Sequence, residues 1–132
     1  MGLLVVWLLA FGPFSGNGRE PFAARPESGG QEAGMSELAQ RGAEAFRTRG
    51  CSTCHSSDGR SGIGPSMRGV WGRERELTDG RVVVADAAYI RESIIDPGAK
   101  VVQGYLPSMA SYAWLSDEEI DALVAFIEAL GD

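Results

Sequence analysis

The residues best suited to carry chemistry stand together in one short stretch, Cys51-Ser52-Thr53-Cys54-His55. This stretch holds the only two cysteines and the only histidine of the 132-residue chain. Two thiols at this spacing can each form a thioether bond with a vinyl group of one haem, and the imidazole that follows can bind the iron as its proximal ligand. The pattern therefore predicts a c-type haem attachment site, with Cys51 and Cys54 as the attachment points and His55 as an iron ligand.

Three other uses of these residues fit the sequence less well. A structural zinc site needs four cysteine or histidine ligands, and the sequence contains none beyond these three. A thioredoxin-like redox pair would follow a strand of a βαβ unit, whereas the residues before Cys51 have a helical pattern. A structural disulfide would leave His55 without a role. We therefore expect one covalently bound haem c.

The second axial ligand of the iron must come from another part of the chain. With no second histidine, a methionine sulfur is the natural candidate, and the chain has four methionines. Met1 and Met35 precede the first predicted helix, and Met67 follows His55 so closely that it should lie near the proximal side. Met109 lies in a later loop, far enough along the chain to reach the other face of the haem. The sequence predicts Met109 as the ligand, although methionines also commonly fill apolar cores.

Three helices are predicted to position these groups. The first spans residues 36–49 with Ser36 as its N-cap, and Gly42 inside it suggests close approach by another element. The second spans residues 86–96 and begins at Asp86. The third begins at a capping box over residues 116–119. Its apolar stripe consists of Ile120, Leu123, Val124, Ile127 and Leu130.

The segments between the helices are predicted to be loops with one small hairpin. Residues 56–65 and 98–115 contain turn-forming residues and no regular apolar period. Residues 77–84 predict a hairpin, with Asp79-Gly80 as a two-residue turn.

Two residues after the attachment motif are candidates for contacts around the haem. The ring nitrogen of His55 that does not bind iron needs a hydrogen-bond acceptor, and a backbone carbonyl near Pro65 is a candidate. Trp71 has two interpretations that the sequence leaves open. Its ring could close one haem edge and donate its N–H to a propionate, or it could pack in the core.

In the order and spacing of its motifs the chain resembles the class I cytochrome c family over about residues 36–131. The matching residues are Gly42, Phe46, the Cys51–His55 motif, Gly64-Pro65, the loop Pro107-Ser108-Met109, and Phe126 in the last helix. The resemblance implies an all-α fold in which three main helices surround one covalently bound haem. It also implies that the first and last helices cross at right angles, with Gly42 and Phe46 meeting Phe126.

A narrower likeness is to the cytochrome c domain fused to subunit II of some haem-copper oxygen reductases. The stretches that resemble it are 76–80, 89–97 and 100–105. The chain departs from that pattern because no copper-binding portion precedes the domain, and because Ala110 stands where a proline commonly follows the methionine. It also has a single lysine, Lys100, so it lacks the lysine ring of mitochondrial-type cytochromes. Charged docking would have to use arginines, for which the candidates are Arg68, Arg73 and Arg75.

The first 34 residues have a different composition from the rest. Residues 1–16 are almost wholly apolar and predict a signal peptide, with a retained membrane anchor as the rival interpretation. Residues 17–34 are rich in Gly, Pro, Ser and Glu and predict a flexible tether. The cytochrome c domain is then expected over residues 35–132.

Together these features predict an electron carrier and not an enzyme. The formal charge of −6 argues against nucleic acid as a partner. The expected role is single-electron transfer between respiratory-chain components, from a quinol-oxidising complex to a terminal oxidase, on the extracytoplasmic side of a bacterial membrane. One alternative is a fixed membrane-anchored subunit of a larger respiratory or photosynthetic complex. A second is a haem enzyme or ligand sensor with a labile sixth ligand.

Overall fold

The computed structural model describes residues 34–132. Three α-helices, one turn of 3₁₀ helix and one two-stranded hairpin make up its regular structure, which confirms the predicted all-α fold with a hairpin excursion. The predicted segment 1–16, and the tether apart from its last residue, lie outside the described residues. Within residues 34–132 no helix combines the length and the apolar character that a membrane crossing requires. The elements are α1 (Glu37–Thr48), β1 (Glu74–Glu76), β2 (Val82–Val84), α2 (Ala87–Ile95) and α3 (Asp117–Leu130).

Each helix begins at the capping residue that the sequence predicts. The Ser36 hydroxyl accepts a hydrogen bond from the backbone N–H of Ala39 at 3.2 Å, and the Asp86 carboxylate accepts one from Tyr89 at 2.8 Å. At α3, Ser116 and Glu119 form the complete capping box. These contacts satisfy backbone donors that a helix cannot satisfy internally, so each side chain fixes where its helix starts.

The closest helix contact in the fold is between α1 and α3. A Cβ atom added at Gly42 would stand only 1.9 Å from the carbonyl oxygen of Ala122 and 2.7 Å from the Cβ of Phe126. One turn further along α1, the ring of Phe46 lies 5.3 Å from the ring of Phe126, centroid to centroid. The predicted meeting of Gly42 and Phe46 with Phe126 is therefore confirmed, and only glycine allows the two backbones to come this close.

The α2 helix is held against α3 by one arginine and by apolar packing. The Arg91 guanidinium forms ion pairs with Asp117 and Asp121, both on the first two turns of α3. Ile90 and Ile94 are buried on the inner side of α2. They belong to the core, whose other members include Phe46, Val70, Leu77, Leu115, Ile120, Leu123, Phe126 and Ile127.

The hairpin is present, but its turn differs from the prediction. The Leu77 N–H donates to the carbonyl of Arg81 at 2.8 Å, and the Gly80 N–H donates to the carbonyl of Leu77 at 2.9 Å. The loop therefore has three residues, 78–80, and Gly80 takes a positive φ of 84° as its last member. The predicted two-residue turn is wrong because an Asp-Gly pair also suits the last two positions of this three-residue loop.

The hairpin is joined to the long loop that follows α2. Leu77 and Val102 form an isolated antiparallel bridge. On either side of it, the Thr78 N–H donates to the carbonyl of Val101 and the Gln103 N–H donates to the carbonyl of Glu76, each at 2.8 Å. These bonds make the hairpin and the loop one continuous wall of the domain.

Candidate functional site

A cavity of about 480 Å³ opens among the three helices and the loops between them. This volume is within the range of pockets that hold small ligands and cofactors. Its wall is mostly apolar and includes five of the six predicted site residues: Cys51, Cys54, His55, Pro65 and Met109. Residues that are far apart in the chain are thus brought to one site.

The two cysteines lie on a tight turn directly after α1. Gly50 ends the helix with φ of 84°, and Cys51–Thr53 form one turn of 3₁₀ helix. The His55 N–H closes the turn by donating to the carbonyl of Cys51 at 2.9 Å. Both sulfurs are free thiols, and burial raises the pKa of the Cys51 thiol. The turn therefore presents two separate thiols to the cavity, as attachment to a haem requires.

The His55 ring is held in one orientation by the loop that follows it. Its Nδ1 lies 2.8 Å from the carbonyl oxygen of Pro65, and because a carbonyl can only accept, Nδ1 carries the proton. In the neutral ring this hydrogen bond makes Nε2 the nitrogen that is available to bind a metal.

Gly64 provides the space in which the ring sits. A Cβ atom at Gly64 would lie 2.4 Å from Cε1 of His55, so no larger residue fits there without moving the ring. The Gly64 N–H donates to the carbonyl of Cys54 at 2.9 Å, which ties this loop back to the cysteine turn. The backbone of the loop thus forms a cradle for the imidazole.

Two methionines reach the cavity. Met109 lies on its wall with 37% of its surface exposed, and Met67 lines it as well while packing against the core. Met35 packs against the core and is not on the wall, and Met1 is outside the described residues. The loop that carries Met109 is tied to α2 because the Tyr112 N–H donates to the carbonyl of Ile94 at 2.9 Å. The choice of Met109 as iron ligand stays a prediction.

Trp71 is placed differently from the other predicted site residues. It is partly buried against the hydrophobic core and is not one of the residues that line the cavity. Of its two interpretations, this placement matches core packing.

The cavity wall also contains polar residues that the sequence analysis did not place at the haem site. Arg75 comes from β1, Tyr89 and Ser93 from α2, and Lys100 and Tyr105 from the loop after α2. The position of Arg75 could have been found from strand alternation, because its side chain lies on the face opposite Glu74 and Glu76. The position of Ser93 could have been found from helical spacing, because it lies one turn after Tyr89 on the apolar side of α2.

The residues present fit a covalently bound haem. The wall has two free thiols, an imidazole with one nitrogen available, and a largely apolar lining. No aspartate or glutamate in residues 34–132 lines it. Close packing of the imidazole on the backbone of Gly64 holds the ring beside the cysteine turn.

Residues 39–131 match the family model described as Cytochrome c. The chain belongs to the cytochrome c family. Among solved structures the cytochrome is similar to cytochrome cH from Methylobacterium extorquens, with 24% sequence identity and a TM-score of 0.48. That similarity covers 68% of this chain and 96% of the other. None of the curated proteins gives a significant match.

Family membership defines the chemistry of the cavity. The cytochrome holds one haem c, and Cys51 and Cys54 supply the two thiols of its attachment motif. The bound haem supplies a one-electron Fe(III)/Fe(II) couple. The protein is therefore a monohaem electron carrier of the class I type.

Proposed function

We propose that this cytochrome passes single electrons between respiratory-chain components through an iron bound by His55 and Met109. The observation that carries the proposal is that Nδ1 of His55 is engaged by Pro65, while Met109 stands on the wall of the same cavity. With both axial positions filled by the protein, the iron has no open site for a substrate. A thioether ligand also raises the reduction potential, and the apolar wall limits the access of water.

The visible to near-infrared spectrum of the purified holoprotein tests this ligation. We expect a low-spin c-type spectrum with the weak sulfur-to-iron charge-transfer band, and no binding of carbon monoxide by the reduced form. The Met109→Ala variant should lose that band and bind carbon monoxide. Met67→Ala is the matched control, because Met67 lines the same cavity and should leave the band in place. A low-spin spectrum and an unchanged reduction potential in Met109→Ala would overturn the assignment of Met109 as the ligand. Binding of carbon monoxide by the wild type would favour a haem enzyme or sensor.

We further propose that the donor is a quinol-oxidising complex and the acceptor a terminal oxidase of the haem-copper type. Support comes from the sequence likeness of residues 76–80, 89–97 and 100–105 to the cytochrome domain of an oxidase subunit. Stopped-flow mixing of the reduced cytochrome with an isolated haem-copper oxidase measures this directly. Oxidation within the turnover time of the oxidase supports the proposal, and oxidation slower than that turnover time counts against it.

Docking to that partner is proposed to depend on apolar contacts more than on charge. Ile63 and Leu106 line the mouth of the cavity with 67% and 81% of their surfaces exposed. Two of the candidate docking arginines are engaged elsewhere. Arg73 pairs with the Asp132 carboxylate, and Arg68 donates to the backbone carbonyl of the same residue at 3.0 Å.

The salt dependence of the electron-transfer rate tests this mode of docking. Apolar contacts are not screened by ions, so the second-order rate should fall only moderately between low and physiological ionic strength. A steep fall with added salt would show that unpaired surface charges steer the encounter.

The N-terminal residues are proposed to deliver the domain to the extracytoplasmic side of a bacterial membrane. Residues 1–16 would act as signal peptide, residues 17–34 as tether, and residues 35–132 as the cytochrome domain. If residues 1–16 are retained, the same cytochrome becomes a fixed subunit of a membrane complex. Fractionation of cells that make the full chain, followed by N-terminal sequencing of the haem-stained band, distinguishes a cleaved periplasmic form from an anchored one.

A further inference from the structure

The loop that carries Met109 completes the C-terminal end of α2. The Tyr112 N–H donates to the carbonyl of Ile94 at 2.9 Å, and the Ser111 hydroxyl donates to the carbonyl of Ile95 at 2.5 Å. The last carbonyls of a helix have no partner within the helix, so both bonds satisfy acceptors that need a donor from elsewhere. The loop and the helix are thus joined at two successive residues.

The chain directly after α2 does not supply these bonds itself. The Asp96 N–H donates back to the carbonyl of Glu92 at 2.7 Å, but the next residue, Pro97, has no N–H to donate. Many helices are closed by N–H groups of the residues just beyond their end, and here the proline interrupts that local route. Ser111, which is 16 positions along the chain from Ile95, supplies a donor in its place.

The end of α2 is a fixed point of the fold. Ile94 is buried, and Arg91 forms ion pairs with two aspartates on the first turns of α3. The Ser111 hydroxyl, which donates to Ile95, also accepts a hydrogen bond from the Ala113 N–H at 3.3 Å. One side chain therefore both ties the loop to a rigid helix and shapes the loop on its C-terminal side.

The residues before Ser111 have few restraints of their own. Residues 106–110 are all exposed, and among residues 34–132 their only hydrogen bond is the local one from the Ser108 N–H to the carbonyl of Leu106 at 2.8 Å. Met109 lies in this span, two positions before the bond that Ser111 makes to the helix. The nearest restraint on where Met109 can move is therefore the Ser111 hydroxyl.

We propose that Ser111 is a positioning residue that keeps Met109 on the iron. It acts through the backbone, because a loop fixed at Ser111 limits how far the methionine two residues earlier can move away. Without the hydroxyl, the state in which Met109 has left the iron becomes more populated. The net contribution of one hydrogen bond corresponds to a change of about 2- to 10-fold in such an equilibrium. The inference rests on the proposed Met109 ligation and names the contact that maintains it.

Binding of imidazole to the ferric holoprotein measures the population of this open state. Imidazole binds the iron at the sixth position only when Met109 has left it, so its apparent dissociation constant is inversely proportional to the open fraction. In Ser111→Ala this constant should fall by about 2- to 10-fold, and the sulfur-to-iron charge-transfer band should disappear at correspondingly lower imidazole concentration. Ser111→Thr keeps the hydroxyl and should bind imidazole with the affinity of the wild type.

Thr48→Val is the matched control. The Thr48 hydroxyl donates to the carbonyl of Glu44 at 3.0 Å near the end of α1, so this variant also removes a bond from an exposed hydroxyl to a helix carbonyl. Its free energy of unfolding should fall to a similar extent as in Ser111→Ala, while its imidazole affinity should stay that of the wild type. The comparison separates positioning of Met109 from a general loss of stability.

The outcomes distinguish this inference from the proposed ligation. Because Ser111 is exposed, alanine at this position should not prevent folding. An imidazole affinity in Ser111→Ala equal to that of the wild type would overturn the inference and leave the Met109 ligation standing. An equal gain of affinity in Thr48→Val would also overturn it. Absence of the charge-transfer band in the wild type would refute the Met109 ligation, and this inference with it.

Discussion

Replacing Gly42 by alanine should loosen the contact between α1 and α3. The new Cβ would stand 1.9 Å from the backbone oxygen of Ala122, whereas real Cβ atoms do not approach such atoms within 3.0 Å. The helices would have to separate by about 1 Å, since a backbone carbonyl cannot rotate away. Overpacking of this kind costs about 1–3 kcal/mol, and a backbone clash belongs at the upper end. The higher helix propensity of alanine stabilises the folded state by about 1 kcal/mol, so we expect the free energy of unfolding to fall by about 2 kcal/mol in total.

Urea unfolding of the holoprotein, followed by circular dichroism, measures this change. In a thermal unfolding experiment on a domain of this size, about 2 kcal/mol corresponds to a fall in melting temperature of roughly 8–16 °C. Gly98→Ala is the matched control, because its nearest atom outside the neighbouring residues is 3.8 Å away and its φ is not positive. If Gly42→Ala were as stable as the wild type, the helix contact described here would be wrong.

Two further perturbations address other parts of the fold. The Arg49 guanidinium lowers the pKa of the Glu119 carboxyl from its ordinary value of 4.5, so the stability from this pair is present above that pH and is lost as pH falls through the lowered pKa. Glu119→Gln keeps a side chain that suits the capping box with Ser116 and should flatten the acid limb of a stability-against-pH curve; an unchanged limb would show that the pair contributes nothing. Leu77→Ala empties a site that is 1% exposed and should cost about 2–5 kcal/mol in urea unfolding. Val82→Ala on the same hairpin is 59% exposed and should cost within about 0.5 kcal/mol, and equal losses in the two variants would contradict the assigned core.

The parts of the fold that the sequence predicts well are those set by local chemistry. The starts of all three helices follow from Ser36, Asp86 and Ser116, because a capping side chain bonds to backbone only three residues away. The attachment motif and the acceptor near Pro65 are predictable for the same reason, since one contiguous stretch contains both the ligand and the loop that orients it. Gly42 is predictable as a point of close approach because glycine is costly inside a helix without such a reason.

The parts that the sequence does not predict depend on contacts between distant segments. Nothing in the local pattern around Arg75 or Ser93 shows that they line one cavity, because that depends on how the hairpin and α2 pack against the rest. Trp71 is open to two interpretations for the same reason. The predicted turn of the hairpin is wrong because Asp79-Gly80 suits loops of two lengths. The backbone pairing of Leu77 with Arg81 selects the three-residue loop.

The α1 and α3 pairing also joins segments that lie far apart in the chain. The ion pair between Arg49 and Glu119 joins residues 70 positions apart, and α3 is synthesised long after α1 and the cysteine turn. Until α3 arrives, the face of α1 around Gly42 has no surface to pack on, and the cavity lacks the wall that Leu123 and Ile127 provide. Cys51 and Cys54 would therefore be more exposed in a chain whose α3 has not yet packed. A haem attached at Cys51 and Cys54 on that open chain would become part of the core on which α3 packs.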